Sequence, residues 1–195
     1  MIIDLTIDYD NNANDFTDPE IGRFRSILKR HATCSGVERA RSRKVLVEYI
    51  TFSPNSRLLI NELILHCISM KSPDRLDVAI DVLSEVGDAI VNYAYDYLQR
   101  DIQQWVKLYP RAKFRPNDDY WYVLLRAVGR CDGNEDKRFQ ILSACQDEPT
   151  RGVAESVVEG LADLGTPKAL ALLRNYADTN RDAFIRRLAS ESLDT

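Results

Sequence analysis

Residues 161–173 read Leu161-Ala162-Asp163-Leu164-Gly165-Thr166-Pro167-Lys168-Ala169-Leu170-Ala171-Leu172-Leu173. The phrase closes one amphipathic helix with a glycine and opens the next with threonine and proline, followed by a new apolar face. A close copy stands at Leu83-Ser84-Glu85-Val86-Gly87-Asp88-Ala89-Ile90, and looser ones at Val128-Gly129-Arg130-Cys131-Asp132 and Leu193-Asp194-Thr195. The anchors Leu83, Val128, Leu161 and Leu193 are 45, 33 and 32 residues apart. A recurrence of this length is the mark of stacked helical hairpins, each too small to bury its own apolar face.

Working outward from this phrase, breakers divide the chain into ten helices in five pairs. The pairs are 18–32 with 36–52, 55–70 with 73–86, 88–108 with 118–131, 134–146 with 150–164, and 167–178 with 181–193. Each pair has an outer and an inner member. Ser35-Gly36, Ser53-Pro54-Asn55, Ser72-Pro73-Asp74, Asp132-Gly133-Asn134 and Glu148-Pro149-Thr150 supply stops and caps between them. Val153, Val157, Leu161 and Leu164 recur at spacings of four and three, the core face of an α-helix. Leu76, Ala79, Ile80, Leu83 and Val86 repeat it upstream. The third pair carries an insertion from Leu108-Tyr109-Pro110 to Arg115-Pro116.

The first residues read differently. Ile3, Leu5, Ile7 and Tyr9 alternate with Asp4, Thr6, Asp8 and Asp10, the period of a short strand or extended arm. We therefore expect two parts: an acidic extended arm over 1–17 and an all-α repeat domain over 18–195. Residues 1–20 contain six acids and no base, whereas 21–48 hold Arg23, Arg25, Lys29, Arg30, Arg39, Arg41, Arg43 and Lys44 against Glu38 and Glu48. The acidic arm is expected to lie near that basic cluster and neutralise part of it.

The pattern resembles the HEAT repeat family, in particular its phycobilisome-lyase-like variety, over most of residues 36–195 and most clearly in 150–193. In that family the second helix of a pair begins near an Asp followed by a Val-Arg dipeptide. Asp178-Thr179-Asn180-Arg181-Asp182-Ala183-Phe184-Ile185-Arg186 is similar, while Thr150-Arg151-Gly152-Val153-Ala154 lacks the arginine after its valine. The resemblance implies a right-handed α-solenoid of about five hairpins and, for most such proteins, a protein-binding scaffold.

Register across repeats nominates one face. A shift of 78 residues lays Asp77, Asp81 and Glu85 on Glu155, Glu159 and Asp163, each triple spaced i, i+4, i+8 down one helix. The helix between them places Tyr122, Arg126 and Arg130 at the same positions, and the last inner helix presents Arg187 and Glu191. Acidic, basic and acidic stripes thus alternate. Two readings stand at this point. Neighbouring stripes pair with each other, each exposed pair contributing ~0.2–1 kcal/mol, or they line a concave groove for a basic or mixed-charge partner. Nine of the seventeen aromatic residues fall within 93–122. Tyr93 and Tyr97 have core spacing, and Trp121 and Tyr122 adjoin the stripes and are expected to be exposed anchors.

Catalytic and metal signatures are sparse. His31 and His66 are the two histidines; His31-Ala32-Thr33-Cys34 has no matching second half of a zinc site. Asp8 to Asn14 imitates a calcium loop but has Ala13 at the glycine position and Pro19 at the glutamate position. Cys34, Cys67, Cys131 and Cys145 are far apart and read as thiols in helix interiors. No phosphate loop or nucleophile elbow occurs, so no cofactor, metal or catalytic residue is expected. The net charge of −4 argues against generic nucleic-acid binding. No apolar run has the length of a membrane span, and Met1-Ile2-Ile3-Asp4 lacks signal-peptide order, so cytoplasmic residence is expected.

The expected function is non-enzymatic protein binding through Asp77, Asp81, Glu85, Trp121, Tyr122, Arg126, Arg130, Glu155, Glu159 and Asp163. Small acidic scaffolds of this kind are similar to bacterial immunity proteins, which cover the basic cleft of a cognate toxin. The alternatives are a nucleic-acid-binding relative of HEAT-like alkylpurine DNA glycosylases, with Asp118, Asp119, Trp121 and Arg126 in the lesion-facing roles, an assembly adaptor, or a chromophore lyase.

Overall fold

The computed structural model describes residues 19–69, 74–108, 118–146 and 150–194. The expected arm over 1–17 lies outside them, as do Tyr109, Phe114 and the side chain of Trp105. The described residues form ten α-helices and no strand. In chain order these are α1 (Pro19–Thr33), α2 (Gly36–Phe52), α3 (Ser56–Ser69), α4 (Arg75–Ser84), α5 (Asp88–Leu108), α6 (Asp118–Arg130), α7 (Glu135–Ala144), α8 (Arg151–Leu164), α9 (Pro167–Thr179) and α10 (Ala183–Leu193). Among these residues no helix is long and apolar enough to cross a membrane.

The helix ends follow local chemistry. Gly165 closes α8 with φ of +64°, a left-handed conformation that a Cβ would strain, and Gly87 ends the earlier copy of the phrase at +58°. Thr166 then accepts the Ala169 amide as N-cap, with Pro167 at the first helical position. Thr150, Asn134 and Asp182 cap α8, α7 and α10 in the same way, accepting from Val153, Lys137 and Phe184. Each such cap contributes about 1 kcal/mol.

Every odd helix packs on its even successor, α1 on α2 through α9 on α10. The odd helices also touch in series, α1–α3–α5–α7–α9, and the even ones in series, α2–α4–α6–α8–α10. The core lies between these two rows. Leu46, Leu63, Leu83, Leu124, Val157 and Leu173 are fully buried along its length, each removing from water side-chain area worth roughly 1.5–3 kcal/mol. α6 and α8 are buried on most sides, because each has even neighbours on both flanks and odd helices behind.

The two helices meet without side chains at their crossing. A Cβ built on Gly129 would stand 2.5 Å from the Gly160 carbonyl oxygen, and one on Gly160 would stand 3.0 Å from the Leu125 oxygen. Both residues use the missing Cβ to bring two backbones together.

Polar bonds join successive hairpins at their ends. Arg138 of α7 donates to the Val128 carbonyl at 2.8 Å and also to that of Gly129, filling carbonyls that the end of α6 leaves open. The Asn134 amide donates to Asp88 Oδ1 at the start of α5 (2.8 Å), and the Tyr176 hydroxyl of α9 donates to the Gln146 carbonyl (2.8 Å). Glu20 accepts from Ser53 Oγ at 2.6 Å and Asn55 Nδ2 at 2.8 Å, holding the start of α1 beside the end of α2.

The four cysteines are free, with Cys67, Cys131 and Cys145 buried. Burial pushes the Cys67 thiol up to about 12, so it stays protonated and unreactive. His31 is buried with Nδ1 2.8 Å from Ser42 Oγ, and Cys34 Sγ lies 3.4 Å from the same hydroxyl. Among the described residues no group of three His, Cys, Asp or Glu side chains is arranged to hold a metal ion.

Candidate functional site

The stripes named from sequence register occur on the even row. Asp77, Asp81 and Glu85 are exposed on α4. Tyr122 and Arg126 emerge partly from α6 and Arg130 more fully, while Glu155 and Glu159 are half-buried on α8 and Asp163 is exposed. Because α4, α6 and α8 are adjacent in the row, these residues form one continuous surface.

Its charges are distributed unevenly. Arg126 Nη1 lies 2.5 Å from Glu159 Oε2 and Nη2 lies 3.2 Å from Asp163 Oδ2, which Arg130 Nε also approaches at 3.1 Å. The Arg126 side chain is 12% exposed, so this pair has less screening than a surface ion pair. The basic stripe is therefore turned toward α8. Toward α4 the situation differs. Glu85 pairs with Arg43 of α2 at 3.0 Å, but Asp77 and Asp81 have no ion partner among the described residues. Six acids on this face meet three arginines, leaving it net negative.

Glu155 responds to its burial first and to the neighbouring charges second. Burial raises its pKa above the ordinary value of 4.5, the neighbouring Glu159 carboxylate raises it further, and Arg151 opposes both. The folded state thus holds this proton to higher pH than the unfolded chain does. Stability is lost as pH rises through that window, above 4.5, and the loss persists at neutrality. Glu155→Gln should therefore raise the melting temperature at pH 7 and leave it unchanged at pH 4, as measured by thermal denaturation at both values.

Trp121 requires correction. It was expected to be an exposed anchor, yet it is 2% exposed, its ring edge-on to Tyr97 at 5.5 Å between centroids. One helical step of about 100° separates it from Tyr122. Tyr122 faces out between α4 and α8, whereas Trp121 points back toward α5. Burial first, then the Glu159 carboxylate, raise the Tyr122 phenol above its usual range, while Arg126 lowers it. Behind it, Tyr120 donates to Asn61 Oδ1 at 2.8 Å and bonds Tyr93, with Tyr97 stacked on Tyr120 at 5.0 Å. Among the described aromatic side chains of 93–122, Tyr93, Tyr120 and Trp121 are buried and Tyr97 packs against them, while Tyr95 is exposed.

Two residues join the face that register had not nominated. Arg43 reaches it from α2 by pairing with Glu85; the signal was the basic cluster of α2, whose side facing α4 the sequence does not mark. Phe184 at the start of α10 lies under the guanidinium groups of Arg151 and Arg187, at 5.4 and 5.5 Å, and is 37% exposed. Arg151 also pairs with the N-cap Asp182 one hairpin on, at 2.7 Å. That pair walls a polar cleft of about 650 Å³ lined by Thr150, Tyr176, Asn180 and Arg181. A smaller cavity of about 250 Å³, bordered by His31, Arg39, Arg43 and Asp81, opens between α2 and α4.

Three bases of the cluster over 21–48 have acidic partners within the helices. Arg25 pairs with Glu62 at 2.8 Å and Arg30 with Glu38 at 2.6 Å, beside the Arg43–Glu85 pair. No protein-family model, curated protein or solved structure matches the chain.

Proposed function

We propose that this chain is a non-enzymatic scaffold, a right-handed HEAT-like α-solenoid of about five hairpins, whose even-helix face binds a protein with a basic surface. The observation that carries the reading is the unpaired acid of that face: Asp77 and Asp81 stand exposed, without an ion partner among the described residues, beside half-buried Tyr122. A face with excess negative charge attracts a basic partner over a Debye length of about 8 Å at physiological salt and accelerates its docking. The more specific form of the proposal is a cytoplasmic immunity protein that covers the basic cleft of a cognate toxin. It draws on the chain's size, its acidic charge and the repeat resemblance.

Nucleic-acid binding is less well supported. Arg126 and Arg130 are engaged by Glu159 and Asp163, and Trp121 is buried, so the side chains suited to a lesion-binding surface are turned to internal contacts. Asp77 and Asp81 would repel phosphates on the same face.

The test uses the chain and its Asp77→Lys/Asp81→Lys variant as paired baits, followed by association kinetics with the recovered protein. A basic protein should bind the unsubstituted chain, associate about tenfold more slowly with the variant, and lose that difference at high salt. Equal association rates for both baits would remove this face from consideration. Steeply salt-dependent binding of a fluorescent DNA duplex would favour the nucleic-acid reading instead.

A further inference from the structure

α2 is the first helix of the even row, so α4 covers one of its flanks and no helix of the row covers the other. Its outward side carries an apolar stripe. Val37 is 71% exposed, Val45 41% and Phe52 82%, three of the five large apolar or aromatic side chains exposed among the described residues. At 100° per residue these three fall within about 80° of one another on the helix. Arg41 and Lys44 share that side, and neither has an ion partner among the described residues. Glu38 is taken by Arg30 at 2.6 Å, which leaves Glu48 as the acid of this face. A stripe of valine and phenylalanine edged by unpaired bases calls for an occupant with alternating apolar and acidic residues.

We propose that residues 1–17 of this chain occupy that face, with Ile3, Leu5, Ile7 and Tyr9 against Val37, Val45 and Phe52 and the aspartates beside Arg41 and Lys44. Three observations converge on this occupant. Its composition is complementary: four apolar residues in alternation, four aspartates at 4, 8, 10 and 15, and no base. Its attachment is adjacent, because Glu20 is bonded to Ser53 and Asn55, immediately past Phe52 at the end of α2. Its reach suffices, since α2 from residue 37 to 52 is about 22 Å long and sixteen residues of chain can extend about 50 Å. A second copy is the poorer fit: two α2 faces set together would place Arg41 and Lys44 of one copy near those of the other, like charges at close range. The tether favours the same outcome by raising the effective concentration of the segment at the face.

The test is paramagnetic broadening in the full chain. A nitroxide is attached at Thr6→Cys, with Cys34→Ser removing the partly exposed native thiol. Amide signals of α2 around Val45 should broaden strongly, and those of α9 and α10 should not. In a Val45→Asp/Phe52→Asp variant, both sites being solvent-facing, helical circular dichroism should be retained, the broadening should vanish, and protease cleavage within 1–17 should accelerate about tenfold, the factor for a contact of 1.4 kcal/mol. Uniform or absent broadening of the α2 signals overturns the proposal. Broadening that fades on dilution also overturns it, by assigning the face to a second copy.

Discussion

Replacing Gly129 by alanine is expected to destabilise the protein by roughly 2–3 kcal/mol, with a melting temperature lower by about 5–10 °C for a chain of this size. The direction opposes intrinsic propensity, since alanine in a helix interior is favoured over glycine by about 1 kcal/mol. Geometry decides the sign. The new Cβ would sit 2.5 Å from the Gly160 oxygen, 2.7 Å from its Cα and 2.9 Å from its carbonyl carbon. All three are backbone atoms, so no side chain can swing aside and α6 must move from α8. Gly22 on α1 is the control. A Cβ there meets nothing within 4 Å, so Gly22→Ala should gain up to about 1 kcal/mol. Urea denaturation of the two variants should give shifts of opposite sign; stabilisation by both would mean that the backbones of α6 and α8 are not in contact at Gly129 and Gly160.

The second large effect is expected at Arg126. Arg126→Met keeps most of the apolar stem and removes both bonds to α8, leaving Asp163 with Arg130 alone and Glu159 with the Glu155 carboxylate nearby. Breaking a fully buried pair costs about 3–5 kcal/mol and breaking a surface pair less than about 1. With Arg126 12% exposed and its acids 26–30% exposed, the expected loss lies between, at about 2 kcal/mol. A double-mutant cycle with Glu159→Gln separates the pair from the packing. A coupling near 1 kcal/mol is the expected value, and a coupling of zero would show that the loss comes from the stem.

What the sequence disclosed followed from how local each signal was. Gly165, Thr166 and Pro167 set a stop, a cap and a start within three residues, and the structure puts the left-handed glycine and the N-cap at those positions. Stripe register was also legible, because it needs only the repeat length. Arg126 meets Glu159 and Arg130 meets Asp163, both partners 33 residues on, the step that separates Val128 from Leu161. Other features depend on what surrounds a helix, which one chain of letters does not state. Trp121 and Tyr122 are consecutive and chemically alike, and only the position of α5 behind α6 sends the first inward. Gly129 and Gly160 read as ordinary weak points of two helices until the backbones they bring together are seen. Whether a charge is paired is likewise a matter of neighbours: Glu85 has Arg43, and Asp77 two turns earlier has no equivalent.

The bonds between hairpin ends bear on how freely such a chain could be shortened or shuffled. Arg138 completes the end of the preceding hairpin, Tyr176 bonds the Gln146 carbonyl just past the first helix of the preceding hairpin, and Asp88 anchors a loop that belongs to the next pair. The hairpins are therefore not interchangeable cassettes. Excising one strips its neighbour of a hydrogen-bonding partner as well as of an apolar flank, and a graft succeeds only if it carries the arginine, tyrosine or aspartate that the adjoining unit was borrowing.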